Sequence, residues 1–329
     1  MVAGSSPARG ATNSKTQCQQ HWVFLCLAGA DLLSRLSQSA FIRRQQRGEL
    51  ELLCVQHPLF SADLLLQGAQ LLRFAPAGDS NWLWLSEQAA YTQGQSVRGG
   101  IPVCWPWFGN AAMNPPAVQA HLTDSNAAPA HGFARARRWA LSHWYEAADR
   151  VELTLTLEDN RHPLWQANLQ PQLRLIFSAY ALQLELTTRN LGSETATFSQ
   201  ALHTYFPTAD INATRVQGLH DCRYIDTLEQ WQEKTQTDAV AFHGETDRIY
   251  YPSQPIQLHS PQRRLTLQTE GSRSAVVWNP WINKSLTLSQ FAADAWQRMF
   301  CVETANAAAD AVTLAAGTEH RLVLRLSQD

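Results

Sequence analysis

Apolar and polar residues alternate along much of the chain from residue 40 onward. Every second position of residues 151–157 is valine or leucine, and leucine returns with the same period at residues 182–187, 265–267 and 322–326. Because successive side chains of an extended strand point to opposite sides, this period places the apolar residues on one face of a sheet. The pattern therefore predicts half-buried β-strands.

Turn-forming residues separate the strand candidates, and long helical patterns are scarce. Strands do not alternate with helices of roughly 10–15 residues, as they would in a parallel βαβ fold. We therefore predict an all-β fold, a large antiparallel sandwich of two sheets with few short helices. The further strand candidates are residues 49–55, 62–67, 82–85, 172–179, 195–205 and 275–278.

The chain divides by pattern into a head and one large domain. Residues 1–39 lack a strand period, so we expect a head that is disordered or partly helical. Residues 40–329 contain no linker and no repeat, which predicts a single domain. The apolar run of residues 22–30 follows two basic residues, which fits a secretory signal peptide. The leucines of residues 32–36 lie on one helical face, which favours a retained head that ends in a surface helix.

Composition excludes several classes of function. With 26 basic and 28 acidic residues, the net charge of −2 gives no general surface for nucleic acid. No apolar run approaches the roughly 20 residues that span a membrane, so we expect no membrane partner. The six cysteines form no closely spaced pair, which favours free thiols in a reducing, cytoplasmic compartment. We expect a monomer that acts on a small molecule.

Two ionisable residues interrupt apolar strand patterns. His203 lies in Ala201–Phe206, in phase with an alanine and a tyrosine, and Glu303 lies in the apolar run Met299–Thr304. A histidine in such a place is either a satisfied core residue or a general acid, since imidazole titrates near neutral pH. A glutamate there either pairs with an arginine or acts as a base.

Three further residues are candidate ligand contacts. Arg98 precedes two glycines and suits an anionic or polyhydroxy ligand, or it caps a surface loop. His131 precedes a glycine and either bonds a ligand hydroxyl or holds the loop together. Asp247 either binds a ligand or forms a turn with an ion pair to Arg248.

The motifs that carry these residues resemble those of the D-hexose-6-phosphate mutarotases, the glucose-6-phosphate 1-epimerase branch of the aldose 1-epimerase superfamily. The similarity runs from about residue 40 to the C-terminus, and it implies a β-supersandwich. The motifs are RGGIPVCWPWFG from Arg98 to Gly109, PAHGFAR from Pro129 to Arg135, ALHTYF from Ala201 to Phe206, TDRIY from Thr246 to Tyr250, and VET from Val302 to Thr304.

The resemblance implies that anomers of a hexose 6-phosphate are interconverted by opening and closing the sugar ring. It assigns catalysis to His203 as acid and Glu303 as base. Neither a metal nor a cofactor is implied. As substrate-binding residues it implies Arg98, His131, Asp247, Gln93 and Arg73.

Phosphate selectivity needs two or more arginines at the C6 end of the sugar. Arg73, Arg98, Arg135 and Arg137 are available for this task. Tryptophans 105, 107, 278 and 281 are considered as an apolar wall for the sugar or as ordinary core.

Other functions stay open at this stage. A mutarotase of unphosphorylated aldoses and a non-catalytic carbohydrate-binding β-sandwich both fit the fold. A glycoside hydrolase would need a second carboxylate, for which Asp247 is the candidate. A cupin-like metal site would use His121, His131 and His203.

Overall fold

The computed structural model describes Met1 and residues 32–328, and most of the regular structure in these residues is antiparallel strand. We number the strands β1 to β23 in chain order. They are β1 (Ile42–Arg47), β2 (Leu50–His57), β3 (Phe60–Leu65), β4 (Leu71–Pro76), β5 (Val103–Cys104), β6 (Trp139–Glu146), β7 (Arg150–Leu157), β8 (Leu169–Ser178), β9 (Ala181–Asn190), β10 (Ala196–Phe198), β11 (Gln200–Leu202), β12 (Tyr205–Pro207), β13 (Arg215–Gln217), β14 (Arg223–Asp226), β15 (Gln232–Thr235), β16 (Val240–Ala241), β17 (Thr246–Tyr250), β18 (Ile256–Ser260), β19 (Arg263–Glu270), β20 (Ser274–Asn279), β21 (Met299–Asn306), β22 (Val312–Leu314) and β23 (Glu319–Gln328).

Two large antiparallel sheets dominate the structure. One has nine strands in the order β16-β13-β18-β19-β23-β9-β8-β7-β6. The other has eight strands, in the order β15-β14-β17-β20-β21-β11-β5, with β12 paired to β21. A four-stranded sheet, β1 to β4, and the pair β10-β22 complete the described strands.

A single large core joins the two sheets. Leu155 and Leu184 of the nine-stranded sheet belong to the same buried cluster as Val277 and Val302 of the eight-stranded sheet. Phe74 of the four-stranded sheet packs there too. The leucine alternation thus buries one face of each strand, and the prediction of an antiparallel β sandwich with few short helices is confirmed.

Helical structure is brief in the described residues. The two α-helices are α1 (Pro116–Gln119) and α2 (Trp281–Ser285), and residues 32–35 form a further helical segment. The 3-10 turns are Leu36–Gln38, Ala111–Met113, Ala134–Ala136, Ala295–Gln297 and Ala308–Asp310.

The described end of the head, residues 32–39, contacts the core. Leu33 and Leu36 are buried in the large cluster. Residues 2–31 lie outside the described part of the chain, and so does the signal-peptide hypothesis. Within the described part, no helix is long and apolar enough to cross a membrane.

Two predicted strands are wrong in detail. Residues 82–85 form no strand, because their backbone bonds go to separate partners: Trp82 N donates to Phe74 O, and Trp84 N donates to Tyr205 O. Residues 195–205 form three short pieces rather than one strand. The chain leaves the sheet between β11 and β12, where His203 N donates to Pro102 O at 3.0 Å.

Burial in this core predicts a stability difference between two leucines. Leu184 is 0% exposed and Leu191 is 49% exposed. Leu184→Ala should lower the free energy of unfolding by about 2–5 kcal/mol, because it removes buried methyl groups and leaves a cavity. Leu191→Ala, the matched control, should change it by less than about 0.5 kcal/mol. Urea denaturation measures both, and equal losses would contradict the assigned core.

Candidate active site

A cavity of about 840 Å³ lies on the face of the eight-stranded sheet that is turned away from the core. Register explains which residues reach it. Ile249 of β17 lies opposite Val276 of β20, which lies opposite Glu303 of β21, and all three line the cavity. Their chain neighbours Val277 and Val302 point the other way into the core. A strand buried on both faces therefore carries Glu303 on its functional side.

Glu303 is buried with little compensation. Glu303 is 1% exposed, and its carboxylate Oε1 lies 3.3 Å from Nε2 of His203. Burial raises the pKa of the Glu303 carboxyl well above its ordinary value, and the nearby charge of Asp247 raises it further. The carboxyl therefore holds a proton more readily than a solvated glutamate does.

His203 occupies the break between β11 and β12. It is 7% exposed, and its ring stacks on the ring of Tyr205 with centroids 4.7 Å apart. Burial lowers the pKa of this imidazole to about 3, helped by the positive charges of Arg135 and Arg98. The same burial thus favours the neutral form of both members of the pair.

Two polar atoms of this pair have no hydrogen-bond partner in the described part of the structure. They are Nδ1 of His203 and Oε2 of Glu303. A buried polar atom without a partner costs roughly 1–3 kcal/mol, and such atoms call for a functional explanation. The pair therefore has the character of a site kept ready for a polar ligand.

Asp247 lies on the same face, two strands from Glu303. It is in register with Trp278, which also lines the cavity. Burial raises the pKa of Asp247 to about 6. Arg248 points away and pairs with Asp226, Nε to Oδ2 at 3.1 Å, so the alternative of a turn with an Asp247–Arg248 ion pair is wrong.

His131 is held by an unusual backbone. Its φ is +65°, and the next residue, Gly132, has φ +71° in a place where a Cβ would lie 2.0 Å from Trp105 O. Its Nδ1 accepts a hydrogen bond from Gly109 N at 3.3 Å, which leaves Nε2 as the nitrogen that carries the proton. The ring lies 5.4 Å from that of His203. The loop motif thus both holds itself together and presents a donor.

Arg98 reaches the cavity from the loop before β5. Its Nη1 donates to Tyr205 Oη at 3.3 Å, and its Nε donates to Ser289 O at 3.4 Å. The loop needs glycine at Gly100, where φ is +65° and a Cβ would lie 2.1 Å from Leu71 O. The close approach of two backbones therefore sets where the guanidinium lies.

The structure brings five of the seven predicted site residues together and places two elsewhere. His203, Glu303, Arg98, His131 and Asp247 all line the cavity. Arg73 does not line it: it lies on β4 and donates to Ser61 Oγ at 2.7 Å. Gln93 is exposed, and its backbone N–H donates to Glu49 Oε2 at 2.9 Å. The sequence around Arg73 and Gln93 does not show that the strand of the first and the turn of the second place these side chains away from the cavity.

The sequence does not single out every residue that lines the cavity. Trp278 lines the cavity, but Trp105 and Trp107 are fully buried in the core. Arg135 also lines it. Lys284 of α2 also lines the cavity but was not predicted, because a lysine after an apolar-aromatic segment carries no recognisable motif. The role of Tyr205 beside His203 was not predicted either.

The three histidines of the hypothetical cupin-like metal site do not lie together. His131 and His203 are neighbours, whereas Nε2 of His121 accepts a hydrogen bond from Thr197 N at 3.0 Å, away from the cavity. Among the residues that the structure describes, no three His, Cys, Asp or Glu side chains are grouped as metal ligands.

Known proteins are similar to this chain in sequence and in fold. The profile of the family described as aldose 1-epimerase matches residues 51–327. A protein of Escherichia coli strain K12, named "Putative glucose-6-phosphate 1-epimerase", is 35% identical over 275 residues, which cover 82% of this chain and 87% of that relative. A relative of the same name from Cenchrus ciliaris is 32% identical over 280 residues, covering 81% of this chain and 80% of its own length.

A solved structure extends the likeness to three dimensions. The crystal structure of a protein from Salmonella typhimurium, titled a "putative mutarotase", superimposes with a TM-score of 0.79 at 30% identity. The match covers 88% of this chain and 95% of that protein.

The raised pKa of Asp247 can be tested directly. The carboxyl should titrate near pH 6 in the free protein, because burial disfavours its charge. The charged neighbours are Glu245, Asp226 and Lys284, and of these only Lys284 lowers the pKa. Lys284→Met should therefore raise the midpoint, whereas Lys234→Met, which breaks an ion pair with Glu229 outside the cavity, should leave it unchanged. Carbon-13 NMR titration measures both, and a midpoint near an ordinary value of about 4 would contradict the burial of this group.

Proposed function

The chain belongs to the aldose 1-epimerase family, and from this premise we propose that it interconverts the α and β anomers of a hexose 6-phosphate, with glucose 6-phosphate as the leading substrate. The chain is thus an isomerase that acts on a small sugar. The single observation that carries the proposal for the site is the buried pair of His203 Nε2 and Glu303 Oε1, 3.3 Å apart at the floor of the cavity.

Ring opening requires two proton transfers. Glu303 takes the proton of the C1 hydroxyl while His203 protonates the ring oxygen, and the bond between C1 and the ring oxygen breaks. The C1–C2 bond of the open aldehyde then rotates. Ring closure on the other face returns both protons, so each group acts once as acid and once as base.

The pair carries one exchangeable proton throughout this cycle. Before opening, the carboxylate and the imidazolium form an ion pair; after opening, both groups are neutral, because Glu303 has gained a proton and His203 has lost one. Burial favours the neutral pair in the free protein. A proton shift across the 3.3 Å gap between Nε2 and Oε1 connects the two states.

The other cavity residues would hold the sugar. Asp247 accepts hydrogen bonds from ring hydroxyls, and His131 and Arg98 donate to sugar oxygens. Trp278 offers an apolar face for the C–H side of the ring. These contacts orient the anomeric carbon over the pair, which is the part of catalysis that positioning supplies.

Phosphate recognition is assigned to the basic side chains of the cavity. Arg98, Arg135 and Lys284 line it, whereas Arg137 and Arg73 do not. Three cations face Asp247 and a carboxyl whose charge is suppressed by burial, so the cavity has an excess of positive charge that suits a phosphate dianion.

The proposal includes a cytoplasmic location for the protein. Cys54, Cys104, Cys222 and Cys301, the cysteines among the described residues, are free thiols. Free buried thiols are expected in a reducing compartment, where phosphorylated sugars are also at hand.

Removing either member of the pair should abolish catalysed anomer exchange. His203→Ala and Glu303→Gln should each slow the exchange by roughly 10²–10⁴-fold, the usual contribution of a general acid or base. Exchange spectroscopy of the two anomeric proton signals measures the rate. The exposed residues His143 and Glu270 provide matched controls, His143→Ala and Glu270→Gln, which should keep the full rate. Full activity of either cavity variant, with circular dichroism showing a folded protein, would reject the mechanism.

Phosphate selectivity should depend on Arg135 and Lys284. Alanine at either position should raise KM for glucose 6-phosphate by roughly tenfold, since a hydrogen bond to a charged group contributes about 1.5–3 kcal/mol. KM for glucose should change little, because glucose has no phosphate. Arg137→Ala is the control and should affect neither substrate. Equal effects on both sugars would show that these cations do not bind the phosphate.

A further inference from the structure

Tyr205 connects two parts of the site that are far apart in sequence. Its hydroxyl oxygen accepts a hydrogen bond from Arg98 Nη1 at 3.3 Å. Its ring is nearly parallel to the imidazole of His203, with an interplanar angle of 12° and centroids 4.7 Å apart. One side chain therefore touches both a proposed sugar-binding cation and the proposed acid.

The ring of Tyr205 is itself held on several sides. The residue is 2% exposed, and it stacks on Trp84 with centroids 5.8 Å apart at an angle of 26°. The ring of Trp278 meets it edge-on at 6.2 Å. Its backbone is fixed by pairing with Cys301 across β12 and β21, and by the bond that its carbonyl accepts from Trp84 N at 2.9 Å. The ring has little room for another rotamer.

We propose that Tyr205 is a positioning residue for the epimerase reaction, which fixes the plane of His203 through its ring and the direction of Arg98 through its hydroxyl. The inference rests on the proposed function. The imidazole needs such a support, because it lies where the chain leaves the sheet, and its Nδ1 has no hydrogen-bond partner among the described residues. In a catalytic histidine, a hydrogen bond to the second ring nitrogen commonly orients the ring. In His203, stacking on Tyr205 takes the place of that hydrogen bond.

The hydroxyl has a separate task. A phenylalanine would fill the same apolar space between Trp84 and His203, so packing alone does not require an oxygen. A buried hydroxyl without a partner is unfavourable, and the guanidinium of Arg98 satisfies it. The guanidinium of Arg98 also donates to Ser289 O at 3.4 Å, so the tyrosine hydroxyl is one of two groups that hold it in the described structure.

The two tasks can be separated by two substitutions. Tyr205→Phe keeps the ring and removes the hydroxyl, so KM should rise by roughly five- to tenfold while kcat stays within about twofold. Tyr205→Leu also removes the stacking partner of His203, so kcat should fall by roughly ten- to hundredfold, as for a misplaced catalytic group. Tyr250→Phe is the matched control: Tyr250 is fully buried in β17 and its hydroxyl donates to Gln236 Oε1 at 2.7 Å, but it does not line the cavity. It should change neither constant.

A double-mutant cycle tests the link to Arg98. If the hydroxyl acts through the guanidinium, Tyr205→Phe should raise KM no further in an Arg98→Ala background. Additive effects on KM would overturn this half of the proposal. If Tyr205→Leu fails to fold, this cycle still decides the role of the hydroxyl, and Tyr205→Met takes the place of the leucine variant in testing the ring.

The titration of His203 gives a readout that does not depend on turnover. The groups that face this imidazole are Glu303, His131 and Tyr205, with the charges of Arg98 and Arg135 nearby. Its pKa is held at about 3 by burial, and Tyr205→Leu should raise it, because removal of the ring admits water. Tyr205→Phe should leave it unchanged. NMR titration of the ring signals measures this value.

The outcomes separate the two proposals. Wild-type protein without anomer exchange would overturn the proposed function, while the titration and the binding of glucose 6-phosphate measured by calorimetry would still test Tyr205. Wild-type kinetics and an unshifted His203 pKa in Tyr205→Leu would overturn the positioning role alone.

Discussion

The site depends on one constraint: the carboxyl of Glu303 and the imidazole of His203 are both removed from water. Desolvation raises the pKa of Glu303 and lowers the pKa of His203, so the neutral pair is favoured in the free protein. A solvated pair at this distance would rest as a carboxylate and an imidazole whose protons exchange with water. The buried pair instead favours one proton shared between two atoms 3.3 Å apart, and the proposed reaction, in which a proton moves out and back, would use that arrangement.

Such burial is costly, and the sheet architecture supplies the compensation. β20 and β21 are covered on both faces, by the core on one side and by the cavity wall on the other, so their backbone hydrogen bonds are protected and their register is fixed. A shift of one residue would place Val302 in the cavity and Glu303 in the core. The apolar residues on the core side therefore determine, through register, which side chains reach the cavity. At the break after β11, the side chain of His203 is directed across to Glu303 on the neighbouring strand β21, which a regular strand would not allow.

The sequence predicted the sandwich because leucine alternation is a direct record of one-sided burial. Glu303 and His203 contradict their apolar surroundings, and Arg98 and His131 lie beside glycines, which made these four candidates. The resemblance of the motifs then implied all four, together with Asp247, as site residues. It failed for Arg73, on the edge strand β4, and for Gln93, in a turn, because the direction of a side chain at either place depends on packing between distant segments. It missed Lys284 and the role of Tyr205 for the same reason: an aromatic residue in a strand reads as core until its neighbours across the fold are known. The single strand expected over residues 195–205 was wrong because hydrogen bonding to the segment before β5 competes with the sheet ladder.

The charges of the cavity connect recognition with catalysis. Arg98 and Arg135 lower the pKa of His203, so the cations proposed to bind the phosphate also oppose the imidazolium proposed to protonate the ring oxygen. A bound phosphate dianion would neutralise much of that positive charge and make the imidazolium less unfavourable. A sugar without phosphate would occupy the same floor but leave the opposition in place. On this argument the phosphate contributes to the chemical step as well as to affinity. A preference for a phosphorylated substrate is compatible with a net charge of only −2, because the relevant charges are few and local.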